Sequence, residues 1–325
     1  MRWGILSTAN IGRKLIAGAR DAGVEIVAVG SRDEARGRAF ADEHGILRVH
    51  GSYEALLADD AVDAIYNPLP NSLHVPWSIR ALEAGKHVLC EKPLTRHPEQ
   101  VDELFDAADR AGRVLMEAFM WRFHAQTEKV AELVRGGVIG RLRHIGARFG
   151  FNLDPGSGNV RWDESLEGGA LMDVGCYSLS GMRLLAGEPL RVSAERVGEP
   201  VDGRLAAVLR FANDVTGTFD CGMDVYPRSG LEVVGDEARL WVADPWHGIT
   251  PGIVLQRGAG EERIEVEAVN PYGKELLEVA AAVAEGRPPR LDRSESLGQA
   301  RAIAALYESA SEGRAITLAS GSPAR

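Results

Sequence analysis

The 325-residue sequence has only three cysteines and no recognisable export signal. Cys90, Cys176 and Cys221 lie far apart and form no CxxC pair, so they are too few for a disulfide framework and fit a reducing compartment best. The first apolar segment follows Met1 and Arg2 directly, without a separate hydrophobic region or a small-residue cleavage site. We therefore expect a cytoplasmic protein.

Long apolar runs and basic clusters are also missing. No stretch approaches the roughly 18 uninterrupted apolar residues that a membrane-spanning helix needs. The formal net charge is -10, and no local run of Lys and Arg offsets it, so nucleic acid is not expected as a partner. The sequence has no G-x-S-x-G elbow and no metal-like cluster of His with carboxylates, so neither a hydrolase of that kind nor a metal site is predicted.

The composition is otherwise that of a globular protein. With 45% hydrophobic and 26% charged residues, the chain can bury a sizeable core. A chain of 325 residues suits two domains of roughly 150 residues each.

The first 120 residues alternate short apolar runs with amphipathic helical patterns, which is typical of βαβ units and a parallel sheet. The pattern predicts five helices, at 11–20, 34–44, 53–58, 75–84 and 99–111. It predicts six strands, at 3–6, 25–29, 47–49, 64–66, 87–90 and 114–117.

After residue 121 the pattern changes to longer alternating segments, which favour a large, mostly antiparallel open sheet. Strands are predicted at 142–151, 205–211, 215–220, 231–242 and 264–269, and helices at 128–135, 169–185, 273–284 and 296–312. We therefore expect a Rossmann-type α/β domain at 1–120 and an α+β domain at 121–325. The small, polar segment 320–325 is expected to fray.

A strand, a tight turn and a helix start occupy residues 3–12, where a dinucleotide-binding fold has its phosphate-binding turn. The glycine code is degraded, because Ser7, Ala9 and Gly12 stand where G-x-G-x-x-G has three glycines. Small side chains still leave room for a pyrophosphate. On these residues alone an ordinary βα turn is an equal explanation, but the βαβ context favours phosphate contacts along the turn at Ser7, Thr8, Ala9, Asn10, Ile11 and Gly12.

Ser31 and Arg32 follow the second strand, about 20 residues beyond Gly12, where an acidic residue would bind the ribose of NAD. A hydroxyl beside a guanidinium suits a 2′-phosphate, so NADP is preferred over NAD as cofactor. Asp33 is better explained as the N-cap of the next helix.

Two further strand ends carry polar residues at the carboxyl edge of the predicted sheet. Glu91-Lys92-Pro93 follows the fifth strand, and its proline indicates a cis bond or a fixed turn that aims Lys92 at the cofactor. Alone, a surface lysine would be the safer interpretation. The fourth strand is followed by a second group of predicted cofactor contacts, Pro68, Leu69, Asn71 and His74.

In the second half, a glycine-loosened loop enters a helix that carries Asp173 and Tyr177. Their i, i+4 spacing places an acid and a phenol on one helix face. For an isolated pair, a solvated charge and a half-buried tyrosine would be the simpler explanation. Lys92 is expected to join them.

These motifs resemble the family of glucose-fructose oxidoreductase, inositol dehydrogenase and MocA-like oxidoreductases, over essentially the whole chain. Glu91-Lys92-Pro93 is the family's hallmark. The segments 3–12, 117–124 and 173–177 look most like those of aldose and D-xylose 1-dehydrogenases and dimeric dihydrodiol dehydrogenases. Tyr177 stands where inositol dehydrogenase-like members have histidine, which points to the sugar dehydrogenases and to sugar 3-ketoreductases.

The resemblance implies an N-terminal Rossmann domain, a C-terminal open sheet that often forms a dimer interface, and hydride transfer in the cleft between them. We expect Tyr177 to exchange a proton with the substrate, Lys92 to lower the pKa of Tyr177 from about 10, and Asp173 to orient them. Glu91 and Lys92 are also expected at the cofactor. The expected substrate wall consists of Lys92, Arg122, Phe123, His124, Arg161, Trp162, Asp163, Asp173 and Tyr177.

The sequence thus predicts an NADP-dependent oxidoreductase acting on a sugar or cyclic polyol, foremost an aldose 1-dehydrogenase that forms a lactone. An NADPH-dependent reductase of a nucleotide-linked keto-sugar is the alternative, followed by a trans-dihydrodiol dehydrogenase. A hypothesis of another class is a non-catalytic NADP-binding sensor. A homodimer or homotetramer through the C-terminal sheet is expected.

Overall fold

The computed structural model describes residues 1–249 and 251–318, and the chain divides into two compact units. The first unit comprises Met1–Phe123 and Asn270–Leu297, and the second comprises His124–Val269 and the described residues from Gly298 onward. The segment 320–325, which was expected to fray, lies outside the described residues.

The first unit is built on a six-stranded parallel sheet of order β3-β2-β1-β4-β5-β6. This is the strand order of a dinucleotide-binding fold, in which the direction of winding reverses between β1 and β4. The strands are nearly continuous apolar runs because both faces of the sheet are covered. They are β1 (Arg2–Leu6), β2 (Glu25–Gly30), β3 (Arg48–His50), β4 (Ala64–Asn67), β5 (His87–Glu91) and β6 (Leu115–Ala118).

Six helices of the first unit accompany this sheet, and all six predicted strands and five predicted crossover helices are confirmed to within a few residues. The helices are α1 (Asn10–Asp21), α2 (Glu34–His44), α3 (Tyr53–Leu57), α4 (His74–Glu83), α5 (Pro98–Ala111) and, from the later part of the chain, α8 (Pro271–Glu285). The remaining helices are α6 (Ala125–Arg135) and α7 (Cys176–Ala186) in the second unit and α9 (Arg293–Glu312), within which the unit boundary falls.

The segment Asn270–Leu297 differs from the expected division, which placed it in the second domain. Its helix α8 packs directly on α1, where a Cβ added to Gly18 would lie 2.6 Å from the backbone nitrogen of Gly273. Asn270 also donates from Nδ2 to Oδ2 of Asp21 at 2.7 Å. A pair of facing glycines brings two helix backbones together, and helical periodicity alone does not reveal which helices do so.

The second unit contains a nine-stranded sheet of order β14-β13-β12-β11-β7-β10-β9-β8-β15. β7 and β10 pair in parallel, and the other neighbours are antiparallel, which confirms the predicted mostly antiparallel sheet. The strands are β7 (Leu142–Asn152), β8 (Arg191–Val197), β9 (Arg204–Arg210), β10 (Thr216–Gly222), β11 (Asp224–Gly235), β12 (Arg239–Val242), β13 (Ile253–Arg257), β14 (Gly260–Ile264) and β15 (Ile316–Thr317).

Two strand predictions in this unit were wrong. The segment 231–242 is a hairpin, because β11 ends at Gly235 and Asp236 then accepts hydrogen bonds from the backbone and side chain of Arg141. The strand predicted at 264–269 is absent, because β14 ends at Ile264 and residues 265–269 form no strand. Alternating exposure, as in β9, shows that one face of the sheet packs inward and the other is exposed. Among the described helices, none combines the length and hydropathy that a membrane-spanning segment needs.

Candidate active site

The turn between β1 and α1 begins at Ser7, which adopts a left-handed backbone with φ 76°. Glycine takes this conformation most easily, so Ser7 fills the role of the first glycine of the degraded code. Its backbone N donates to the carbonyl of Gly30 at 2.8 Å, and its Oγ accepts from Ala9 N at 3.3 Å. Among the described residues, no side chain caps the first turn of α1. The helix therefore presents its N-terminal amides and its positive dipole end, which suits a phosphate.

The end of β2 carries the group predicted to recognise a 2′-phosphate. Ser31 is buried and donates from Oγ to the Asp33 carbonyl at 2.7 Å, whereas Arg32 is exposed with its guanidinium 5.9 Å from the centre of the Tyr53 ring. The Asp33 carboxylate accepts from Arg36 N at 3.0 Å, so Asp33 is the N-cap of α2 as predicted. A cation at this strand end, with the nearest acid engaged in capping, fits NADP better than NAD.

Lys92 stands at the carboxyl end of β5, on a loop that buried side chains hold in place. The Lys92–Pro93 bond is cis, one of the two arrangements expected from the sequence. The carboxylate of Glu91 accepts from the Tyr66 hydroxyl at 2.5 Å and from Lys92 N at 3.2 Å. One residue beyond the proline, Leu94 N donates to the buried carboxylate of Glu117 at 2.9 Å. The loop that carries Lys92 is thus fixed from both sides.

His74 contacts the loop that carries Lys92 and the loop after β4. Its side chain is 1% exposed, and its two ring nitrogens lie 2.9 Å from the carbonyl oxygen of Pro93 and 2.7 Å from that of Leu69. Burial lowers its pKa to about 4, and the two carbonyl oxygens oppose this shift. The geometry therefore favours a role for His74 in shaping the loops after β4 and β5 over the direct cofactor contact that the sequence suggested.

The other residues of the loop after β4 lie at the same sheet edge. Asn67 is fully buried and donates to the His74 carbonyl at 3.1 Å and to Ser78 Oγ at 3.0 Å. Pro68 and Leu69 are buried, and Asn71 is partly exposed. The ends of β1, β4 and β5 therefore place the predicted cofactor residues of the first unit along one edge, as a Rossmann fold requires.

In the second unit, Asp173 and Tyr177 lie on either side of the junction between a π-helical turn, Leu171–Gly175, and α7. The N–H of Cys176 donates to the carbonyl of Leu171, five residues back. Such π turns are frequent at functional sites. Both side chains are partly exposed.

A buried acid holds the start of this π turn. Asp202 is 2% exposed, and its carboxylate accepts from Leu171 N at 2.8 Å and from the Tyr307 hydroxyl at 2.9 Å. Its backbone carbonyl accepts from Ala170 N at 2.8 Å. Burial raises the pKa of Asp202, and the two donors to its carboxylate oppose that rise.

The loop of residues 159–169 brings Arg161 to Asp173. Nε of Arg161 donates to Oδ2 of Asp173 at 2.7 Å, and the Arg161 carbonyl accepts from Gly169 N at 3.0 Å. Trp162 packs on Gly203, and Asp163 accepts from Ser165 N at 2.9 Å. Arg161, Asp173 and Tyr177 therefore all belong to the second unit, in which Arg161 contacts Asp173 directly. Trp162 and Asp163 lie on the same loop as Arg161.

Three aromatic side chains that the sequence did not single out form a cluster with Tyr177, and two of them contact its ring. The Tyr177 ring lies edge-on to Phe149, with centroids 5.4 Å apart, and 6.1 Å from Trp246. The third, His247, contacts Phe149, with ring centroids 5.3 Å apart. Phe149 lies within a predicted strand, where an aromatic residue indicates packing rather than a functional site. Residues 246–247 reach the cluster from a distant loop, and no local sequence pattern predicts that contact.

The predicted wall residues at 122–124 are all buried. In the first unit, Arg122 pairs with Glu295 at 3.0 Å and Arg290 lies over the Phe123 ring at 5.2 Å. In the second unit, the His124 ring packs against Gly248. Within the described part of the chain, no group of three or more His, Cys, Asp or Glu side chains could hold a metal ion.

Comparison with known proteins identifies the family. Residues 1–119 match the oxidoreductase family with an NAD-binding Rossmann fold, and residues 127–241 match the GFO/IDH/MocA C-terminal domain. The chain belongs to the GFO/IDH/MocA oxidoreductase family. The resemblance inferred from the Glu91-Lys92-Pro93 segment and the other motifs is thus confirmed, as are the fold and the oxidoreductase class.

Two relatives match nearly the whole chain, and a third matches three quarters of it. D-xylose 1-dehydrogenase (NADP(+)) 2 of Haloferax volcanii is 42% identical over 98% of this chain and 100% of its own length. A structure of KijD10, a 3-ketoreductase from Actinomadura kijaniata, with NADP and TDP-benzene has a TM-score of 0.89 at 34% identity and covers 95% of this chain and 97% of its own. Trans-1,2-dihydrobenzene-1,2-diol dehydrogenase of Macaca fascicularis is 31% identical over 75% of both chains.

Proposed function

We propose that this protein is an NADP-dependent oxidoreductase that moves a hydride between the nicotinamide and a sugar or cyclic polyol, and that it oxidises the anomeric hydroxyl of an aldose to a lactone. The observation that carries this proposal is Tyr177, a phenol that packs against the rings of Phe149 and Trp246 and follows, four residues later, the Asp173 that pairs with Arg161. An ionisable phenol beside aromatic faces suits a sugar hydroxyl. The D-xylose 1-dehydrogenase relative supports the substrate class.

The residues present fit NADP. The turn residues Ser7, Thr8, Ala9, Asn10, Ile11 and Gly12 would hold the pyrophosphate at the amino end of α1. Ser31 and Arg32 would hold the 2′-phosphate. The nicotinamide end would lie along the loops after β4 and β5, at Pro68, Leu69, Asn71, Glu91 and Lys92, whose shape His74 maintains.

In the proposed reaction, the substrate carbon gives up a hydride and its hydroxyl gives up a proton as the C=O bond forms. Bound NADP⁺ supplies the redox chemistry by accepting the hydride. Tyr177 takes the proton as general base, and the ammonium of Lys92 favours the phenolate form that this requires. Asp173, held by Arg161, orients the hydroxyl. Arg161, Trp162 and the rings around Tyr177 are proposed to enclose the sugar.

The first test is a spectrophotometric assay of NADPH and NADH formation with a panel of aldoses, inositols and dihydrodiols. Reduction of NADP by one or two aldoses is the expected result. Reduction only with dihydrodiols would favour the trans-dihydrodiol dehydrogenase activity named for the Macaca relative, and silence with every substrate would count against a dehydrogenase.

The proposed proton path is tested by Tyr177→Phe and Lys92→Ala. Each is expected to lower kcat about 10²- to 10⁴-fold, because that is the usual contribution of a positioned general base. Tyr226→Phe, at an exposed tyrosine, and Lys129→Ala, at a surface lysine paired with Glu132, are the matched controls. Full activity in both active-site variants would refute the proposed proton path.

The preference for NADP is tested by Arg32→Ala. Removing the guanidinium should weaken NADP binding by at least tenfold and leave NAD binding nearly unchanged, since only NADP carries the 2′-phosphate. Arg36→Ala, one turn into α2, is the control for a general loss of positive charge. Equal weakening of NADP and NAD by Arg32→Ala would refute the 2′-phosphate assignment.

A second candidate function is an NADPH-dependent reductase of a nucleotide-linked keto-sugar. It is favoured by the KijD10 structure with TDP-benzene and NADP, and variants of one lysine and of one tyrosine have been crystallised for that protein. Here Lys92 and Tyr177 would deliver the proton to the carbonyl oxygen. Mass spectrometry of the purified protein decides between the two, since a copurifying nucleotide-sugar favours the reductase.

We further propose that the chain forms a homodimer or homotetramer through the exposed face of the nine-stranded sheet. This face carries Val208, 55% exposed, and Trp241 with Arg148 stacked 5.0 Å above it, beside a groove of about 530 Å³. Light scattering of the wild type and of Val208→Asp tests this, and a monomeric wild type would refute it. The three buried free cysteines support a reducing, cytoplasmic location.

A further inference from the structure

The loop between β12 and β13 holds Trp246 and His247 in a fixed backbone conformation. Trp246 is fully buried and its indole N–H donates to the carbonyl of Arg148 at 3.0 Å. The Asp244 carboxylate accepts from His247 N at 3.3 Å and from Ile249 N at 2.9 Å. These bonds fix the main chain on both sides of the imidazole.

Two further contacts brace this loop from outside. Gln126 is buried; its Nε2 donates to the carbonyl of Asp244 at 2.9 Å, and its Oε1 accepts from Gly252 N at 2.8 Å. Gly248 has φ +59°, and a Cβ there would lie 2.5 Å from the His124 ring, so only glycine fits. The loop is therefore preorganised, a property that favours precise recognition.

The imidazole of His247 and the proposed catalytic phenol of Tyr177 pack against the same aromatic ring. The rings of His247 and Tyr177 both lie edge-on to Phe149, at 5.3 Å and 5.4 Å. The His247 side chain is 43% exposed, so a ligand can reach it. Its ring nitrogens are hydrogen-bonding groups beside the carbon ring of Phe149.

We propose that His247 is a specificity-determining residue, whose imidazole hydrogen-bonds one hydroxyl of the sugar at a carbon other than the one oxidised. Aromatic faces bind the apolar side of a sugar ring but distinguish its hydroxyls poorly. A group that hydrogen-bonds a hydroxyl rejects an analogue that lacks it, because the protein group is then left unpaired. This inference rests on the proposed sugar oxidoreductase function.

The test compares an aldose substrate with its singly deoxygenated analogues. Wild-type protein should lose at least tenfold in kcat/KM with one analogue. His247→Phe, which keeps a ring but no hydrogen-bonding nitrogen, should lose about tenfold on the parent sugar, chiefly through KM, and should no longer discriminate against that analogue. His247→Gln should recover part of the discrimination. Ile249→Ala, in the same loop and 81% exposed, is the control and should behave as wild type.

An unchanged hydroxyl preference in His247→Phe would overturn the assignment. A wild type inactive on every aldose would instead overturn the proposed function, and the His247 assignment is then decided by NMR of ¹³C-histidine-labelled protein. The resonance that disappears in His247→Phe should shift when the aldose is added with NADP. A shift without hydride transfer supports the assignment alone, and no shift at saturating sugar overturns it.

Discussion

Replacing Asp202 by alanine should destabilise the second unit and disturb Tyr177. The carboxylate of Asp202 accepts from Leu171 N at 2.8 Å and from the Tyr307 hydroxyl at 2.9 Å, and the side chain is 2% exposed. Asp202→Ala leaves the buried Leu171 N–H without its acceptor, at about 1–3 kcal/mol, and removes one hydrogen bond of the partly exposed Tyr307 hydroxyl, worth about 1 kcal/mol. We therefore expect the free energy of unfolding to fall by about 2–4 kcal/mol.

The assay is urea unfolding, with kcat/KM measured on the folded fraction. Asp202→Asn keeps an oxygen facing Leu171 N and should lose less than half as much stability, because burial already disfavours the charge of Asp202. Tyr307→Phe removes one of the two bonds, and the double variant should show a coupling of about 1 kcal/mol between the two sites.

The kcat/KM of Asp202→Ala is the second measurement in this experiment. Asp202 holds the π turn Leu171–Gly175, which leads directly into Tyr177, so Asp202→Ala should lower kcat/KM at least tenfold even where the protein is folded. An Asp202→Ala protein with wild-type stability would refute the energetic argument. A destabilised protein with wild-type kcat/KM would refute the positioning argument.

Two further predictions concern buried titratable groups in the first unit. Burial lowers the pKa of His74 from 6.5 to about 4, so its contribution to stability is complete above pH 6.5 and is lost as the pH falls towards 4. His74→Gln should remove about 2 kcal/mol of the loss of unfolding free energy between pH 7 and pH 4.5, and equal losses in both proteins would contradict this. Glu275 is fully buried, its carboxyl oxygens have no hydrogen-bond partner within the described residues, and burial raises its pKa well above 4.5. Because the folded state then binds the extra proton, the free energy of unfolding falls as the pH rises above 4.5. Glu275→Leu should therefore raise the free energy of unfolding by about 1–3 kcal/mol at pH 8 but by little at pH 4. A variant less stable than wild type at pH 8 would show that the carboxyl group stabilises the fold.

Local patterns were sufficient for the parallel sheet and crossover helices of the first unit. Alternating apolar runs and amphipathic helices within the first 120 residues predicted six parallel strands, because each pattern depends on neighbours a few residues apart. Asp33 as a helix cap is local in the same sense. The Lys92 motif and the Asp173–Tyr177 pair could be placed at element ends because strand and helix starts carry their own signals.

The remaining features depend on contacts between residues far apart in the chain, and only the tertiary structure decided them. Asn270–Leu297 joins the first unit because Gly18 and Gly273 let two helices touch. Asp202 caps a turn 31 residues earlier in the chain, and His247 reaches Phe149 from a loop that follows five further strands. Sequence periodicity states which face of an element is buried, whereas the partner on that face is selected by packing of the whole unit.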